Sequence, residues 1–191
     1  NSGNANACNG PQGYRDAQRM AECVAERLGI RPEEVLVAST GVIGVLLPME
    51  KVEAGIDAAV RQLDAAGWRD AAEAIMTTDT RPKTVAVEFS LGGRRVRMGG
   101  MAKGSGMIHP NMATMLAFIT TDAAVDGAFL QEALRRGARD TFNMVSVDRD
   151  TSTNDMAIVM AGCRTVVAPT RSDYQLDPDA IAAAITPRTR A

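Results

Sequence analysis

Helix-period and strand-period segments alternate along the whole of this chain, and that alternation admits an α/β or α+β architecture. Ala17, Met20, Ala21, Val24 and Leu28 recur at three- and four-residue steps, which predicts a helix over 14–28 closed by Gly29. Val52, Ile56, Ala59, Val60 and Leu63 predict a second helix over 49–66, stopped by Gly67, and a short third one over 68–75. Phe129, Leu130, Ala133, Leu134 and Ala138 mark a helix over 127–142, and Ala and Ile spacing marks another over 178–185, ended by Pro187. Between them, the short apolar runs 35–38, 115–120 and 157–161 read as buried strands. Residues 84–89 and 95–98 read as a hairpin turning at Leu91-Gly92-Gly93-Arg94. The Asn- and Gly-rich residues 1–13 read as loop.

Composition removes several classes of function. The chain has 191 residues, room for one large or two small domains, and 46% of them are apolar, enough for a sizeable core. A formal net charge of −2 with no basic block leaves no electrostatic footprint for nucleic acid, and 4% aromatic residues provide no stacking platform. No apolar run approaches the roughly 18–20 residues a membrane span needs. Cys8, Cys23 and Cys163 are odd in number and lack C-x-x-C spacing, so free thiols in a reducing, cytoplasmic compartment are the plain expectation.

The chemistry concentrates in Lys103-Gly104-Ser105-Gly106-Met107-Ile108-His109-Pro110-Asn111-Met112-Ala113-Thr114-Met115-Leu116. A glycine-rich, proline-containing loop here delivers a threonine, preceded by a small residue, into an apolar run. An internal threonine hydroxyl has no built-in base, and by itself Thr114 is a β-branched residue well suited to open a strand. A threonine at a chain N-terminus carries its own α-amine, of pKa roughly 7.7–8.0, which can accept the hydroxyl proton. Cleavage of the Ala113–Thr114 bond would create such a nucleophile. His109 is the sole histidine, so neither a histidine-based metal site nor a Ser-His-Asp triad can be assembled. Asp148, Asp150 and Asp155 lack the regular spacing and closing glutamate of a calcium loop and read as a turn held by Asx and Ser/Thr hydrogen bonds.

Four further motifs accompany that segment: Asn1-Ser2-Gly3-Asn4-Ala5-Asn6-Ala7-Cys8, Ser39-Thr40-Gly41-Val42-Ile43-Gly44, Met76-Thr77-Thr78-Asp79-Thr80 and Asp150-Thr151-Ser152-Thr153-Asn154-Asp155. Together and in this order they resemble the ornithine acetyltransferase family, self-cleaving enzymes of arginine biosynthesis. The resemblance implies sheets sandwiched by helices, an N-terminal-nucleophile-like acyltransferase fold, and self-cleavage between Ala113 and Thr114. Residues 1–113 would then be the end of an α subunit and 114–191 the start of a β subunit, reassociated as a heterotetramer.

The implied reaction moves acetyl from N-acetylornithine to glutamate through acetyl-Thr114, with acetyl-CoA a donor for some members. Thr40 and the Gly41 backbone would form the oxyanion hole, and Lys103 and Thr80 would bind substrate along with Thr114. Thr77 and Thr78 are close enough to Thr80 to compete for that role. No metal or organic cofactor is implied. The family pattern has glycine where this chain has Arg149, a place that asks for positive φ. The chain begins without Met inside a motif, and by the resemblance it stops short of an acidic active-site residue and a C-terminal substrate-binding segment, which implies an incomplete piece, with an inert fragment as a third reading. The alternative is an amidohydrolase or aminopeptidase of the same self-cleaving logic, with water as acyl acceptor.

Overall fold

The computed structural model describes residues 1–107 and 115–162. Their order is β1 (Ser2–Asn4), α1 (Gly10–Leu28), β2 (Thr40–Val42), α2 (Met49–Arg61), α3 (Trp68–Ala74), β3 (Lys83–Leu91), β4 (Arg94–Lys103), β5 (Leu116–Thr121), α4 (Gly127–Asp140) and β6 (Met156–Met160). This is a mixed α+β arrangement of two sheets. β1 and β2 form a parallel pair, and β3-β4-β5-β6 form a four-stranded sheet, antiparallel except for the parallel β5–β6 edge. Among the described residues no helix is long and apolar enough to cross a membrane.

Local chemistry explains the element ends. Pro11 sits in the first turn of α1, where its missing N–H costs nothing, and Gly29 ends the helix in the left-handed region at φ 67°, its N–H on the Ala25 carbonyl. Asp126 caps α4 by accepting from the amides of Ala128 and Phe129 at 2.9 and 3.2 Å. The β3–β4 hairpin turns on Gly92 and Gly93, both at positive φ, as a two-residue turn matched to strand twist requires. α1 packs on α2, with Arg19 paired to Glu53 at 3.1 Å and Arg27 to Asp57. Met20, Cys23 and Ala25 are buried on α1, and Leu116 and Ala117 on β5.

Three expectations change. Residues 1–13 are not all loop, because Ser2–Asn4 is a strand and the first helix starts at Gly10. The apolar run 35–38 is not a strand; pairing falls on Thr40–Val42, because the amino-terminal segment supplies a hydrogen-bonding partner there, Thr40 N donating to Asn1 O and Ala5 N to Val42 O. The second helix ends at Arg61 rather than running to residue 66, and Asp64 instead caps a separate 3₁₀ turn, Ala65–Gly67, by accepting from Ala66 N. The helix expected over 178–185 lies outside the described residues.

Candidate active site

Four segments converge where the two sheets meet. β4 ends at Lys103, whose register partner on β5 is Leu116, two places after Thr114 in the chain. Lys103 is 2% exposed and Thr40 0%, both unusually deep for their type. The Lys103 ammonium donates to Thr40 Oγ1 at 3.1 Å and to Thr77 Oγ1 at 3.0 Å, so β4, β2 and the loop after α3 are tied by one buried cation. Burial pushes the Lys103 ammonium below its ordinary pKa, against the pull of the Asp79 carboxylate and, more weakly, of Asp155.

Asp79 organises the loop beneath this lysine. Its Oδ1 accepts from Gly104 N at 2.8 Å and from the Lys83 ammonium, and its Oδ2 from Thr77 N at 3.4 Å. Burial alone would raise this carboxyl; the Lys83 and backbone hydrogen bonds outweigh it and hold Asp79 below its ordinary value. Thr78 and Ser105 share a hydrogen bond at 2.8 Å across the same junction.

Gly41 is where backbone must approach backbone. Its φ is 131°, and a Cβ there would lie 2.3 Å from the Gly3 carbonyl carbon and 2.6 Å from Asn4 N. Gly41 lines a groove of about 630 Å³ together with Val42, Thr77, Thr78, Gly106 and Asn154.

The 148–155 segment is a hydrogen-bonded turn, as its composition suggested. Asp150 N donates to Asp148 Oδ1 at 3.3 Å, Met107 N to Asp148 Oδ2, and Asn154 N to Ser152 Oγ at 3.1 Å. Arg149 has φ 67°, the left-handed conformation glycine would occupy without strain. Among the described residues no group of three His, Cys, Asp or Glu side chains is placed to hold a metal. Cys8 is exposed and Cys23 buried, both as free thiols.

The structure thus brings Thr40, Gly41 and Lys103 together. Thr77, Thr78 and Thr80 are all exposed, but Thr77 contacts Lys103 and, with Thr78, lines the groove, which Thr80 does not. Ala113, Thr114, His109 and Cys163 lie outside the described residues. Sequence reasoning assigned no role to Asp79 or Asn154 and read Asp155 only as part of a turn, although all three sit inside the quoted motifs.

Residues 1–187 match the model of the ArgJ family. The chain belongs to the ArgJ family. Among individual relatives, the arginine biosynthesis bifunctional protein ArgJ of Symbiobacterium thermophilum is 60% identical over 188 residues, covering 97% of this chain and 47% of that protein. ArgJ 1 of Clostridium acetobutylicum is 55% identical over 179 residues, 92% of this chain and 44% of the relative. The crystal structure of the arginine biosynthesis bifunctional protein argJ from Bacillus halodurans aligns with a TM-score of 0.52 and 46% identity over 59% of each chain. The chain spans about half the length of the curated ArgJ relatives it matches.

Proposed function

We propose that this chain carries the nucleophile and oxyanion hole of an acetyltransferase that moves acetyl from N-acetylornithine to glutamate in arginine biosynthesis. The observation that carries the reading is the buried Lys103 ammonium on Thr40 Oγ1. That hydrogen bond occupies a lone pair of the hydroxyl and leaves its proton to donate, beside the Gly41 amide, to an oxygen becoming negative. Lys103 spends two of its three N–H groups on Thr40 and Thr77, and the third suits the α-carboxylate that both N-acetylornithine and glutamate present.

In this reading the Thr114 hydroxyl attacks the Ala113 carbonyl carbon, the peptide C–N bond breaks, and the resulting ester is hydrolysed to free the Thr114 α-amine. That amine then takes the hydroxyl proton as Thr114 attacks the acetyl carbonyl. Ornithine leaves as an amine, and the amine of glutamate attacks acetyl-Thr114 to regenerate the enzyme. The family resemblance extends the proposal to acetyl-CoA as a second donor. The pairing of β4 with β5 supports residues 1–113 and 114–191 as two halves that stay together, since six register pairs cross the cleavage point. A heterotetramer of such halves in the cytoplasm is the assembly proposed. Family membership favours this reading over water as the acyl acceptor.

The test is intact mass of the purified protein and of Thr114→Ala, with acetyl transfer assayed in a polypeptide of the relatives' full length that carries this sequence. Fragments 1–113 and 114–191 that co-elute, absent in the variant, together with transfer to glutamate, support the proposal. An uncut protein that transfers acetyl normally refutes the nucleophile. Cleavage followed by hydrolysis without transfer refutes the acceptor.

A further inference from the structure

Asn154 and Asp155 lie between the two sheets and serve each of them. The Asn154 side-chain amide donates to Ala5 O at 2.6 Å and to Ser39 O at 3.3 Å, the carbonyls just after β1 and just before Thr40. Its Oδ1 accepts from Thr153 Oγ1 at 2.6 Å, which agrees with the amide's orientation, because the two carbonyls require the N–H side. Asp155 Oδ1 accepts from Met115 N at 2.8 Å, the first amide after Thr114 in the chain. Met156 N then donates to Met115 O at 2.9 Å, and β6 continues in parallel with β5 from Leu116 opposite Met156. Met115 is thus gripped at both its N–H and its C=O by consecutive residues, while the residue before them grips the entrance to the Thr40-Gly41 strand. Asp155 is half-buried, and burial raises its carboxyl against the Met115 hydrogen bond and the Lys103 ammonium.

We infer that Asn154 and Asp155 are positioning residues that set the distance between the oxyanion-hole strand and the start of the nucleophile strand. The inference rests on the reading of Thr114, Thr40 and Gly41 given above. Neither side chain is required to exchange a proton or touch the reacting atoms. What they fix is alignment, and misplacement of a reacting group by about 1 Å can cost on the order of 100-fold in rate.

The experiment uses a polypeptide of the relatives' full length bearing Asp155→Ala, Asp155→Asn or Asn154→Ala, beside the unsubstituted protein and Thr114→Ala. Self-cleavage is followed by intact mass and acetyl transfer by kcat and KM for N-acetylornithine. Asp155→Ala is expected to slow cleavage and lower kcat by roughly 10- to 100-fold with KM within about threefold. Asp155→Asn keeps an oxygen that can accept from Met115 N and is expected within about fivefold of the parent. Parental rates in Asp155→Ala overturn the inference, and so does an Asp155→Asn variant as slow as Asp155→Ala, which would assign the effect to charge.

Should Asp155→Ala fail to fold, Asn154→Ala carries the same test, with kcat reduced at constant KM expected and unchanged kcat contrary. Hydrogen exchange at the Met115 amide gives a readout independent of activity: protection lost in Asp155→Ala supports the clamp, and protection retained overturns it. A parent that is neither cut nor active refutes the function proposed for Thr114, and the exchange result then still decides whether the clamp exists.

Discussion

Gly41→Ala isolates how closely β1 and β2 must approach. A Cβ at position 41 would stand 2.3 Å from the Gly3 carbonyl carbon, and the strand must retreat by about 0.7 Å merely to reach 3.0 Å. The obstructing atoms are backbone, so no rotamer can relieve them. A retreat of that size stretches Thr40 N to Asn1 O, now 3.1 Å, and Ala5 N to Val42 O, now 2.9 Å, past useful hydrogen-bond length. Two lost bonds at about 1 kcal/mol each, plus about 1–3 kcal/mol for a non-glycine residue at φ 131°, give a destabilisation of about 3–5 kcal/mol. Gly44→Ala is the control: φ is 79°, but nothing lies within 4 Å of the added carbon, so only the conformational cost of about 1–2 kcal/mol is expected. Urea denaturation of the two variants and the parent measures the difference through the midpoints at constant m. Unfolding free energies for Gly41→Ala and Gly44→Ala that agree within about 0.5 kcal/mol would show that strand contact is not what requires glycine at 41.

Further predictions follow from the same geometry. Lys103→Met should lower kcat/KM for acetyl transfer by about 100- to 1,000-fold, because Thr40 loses the donor that orients its proton. Its folded pKa lies below the ordinary 10.5, so the unfolded chain binds more protons between the two values; parent stability relative to Lys103→Met should rise across that window, measured by urea titration at stepped pH. For Asp79 the slope has the same sign in an acidic window: stability is present above the ordinary 3.8 and lost as pH falls through the depressed folded value, so the parent midpoint should drop more steeply below about pH 4 than that of Asp79→Asn. Arg149→Gly should raise thermal stability by about 1 kcal/mol by relieving φ 67°, and an unchanged or lower Tm would contradict that. Thr77→Ala should reduce kcat through Lys103, whereas Thr80→Ala, at an exposed side chain, should act on KM alone if Thr80 binds substrate.

Much of the secondary structure was legible because its causes are local. The α1 stripe with its Gly29 stop, the Gly92-Gly93 turn, and strands 84–89 and 115–120 each depend on neighbours within a few residues. The 35–38 run was misread for the complementary reason: an apolar run signals burial but carries no information about a partner, and the partner strand is Ser2–Asn4. The extent of β4 to Lys103 was likewise hidden, since Gly99 and Gly100 weaken the strand pattern while pairing with β3 and β5 on both sides sustains it.

The motifs by themselves determined the family and singled out Thr114, Thr40, Gly41 and Lys103 as the candidates to examine, because residue type and order are properties of sequence. Tertiary structure decided what those residues do to one another. Only the fold places a lysine from the end of β4 on a threonine of β2, stacks Gly41 against Gly3, and sets Asp155 on the amide after Thr114. The physical reason is distance along the chain. Those contacts join segments tens of residues or more apart, and no periodicity or propensity extends that far.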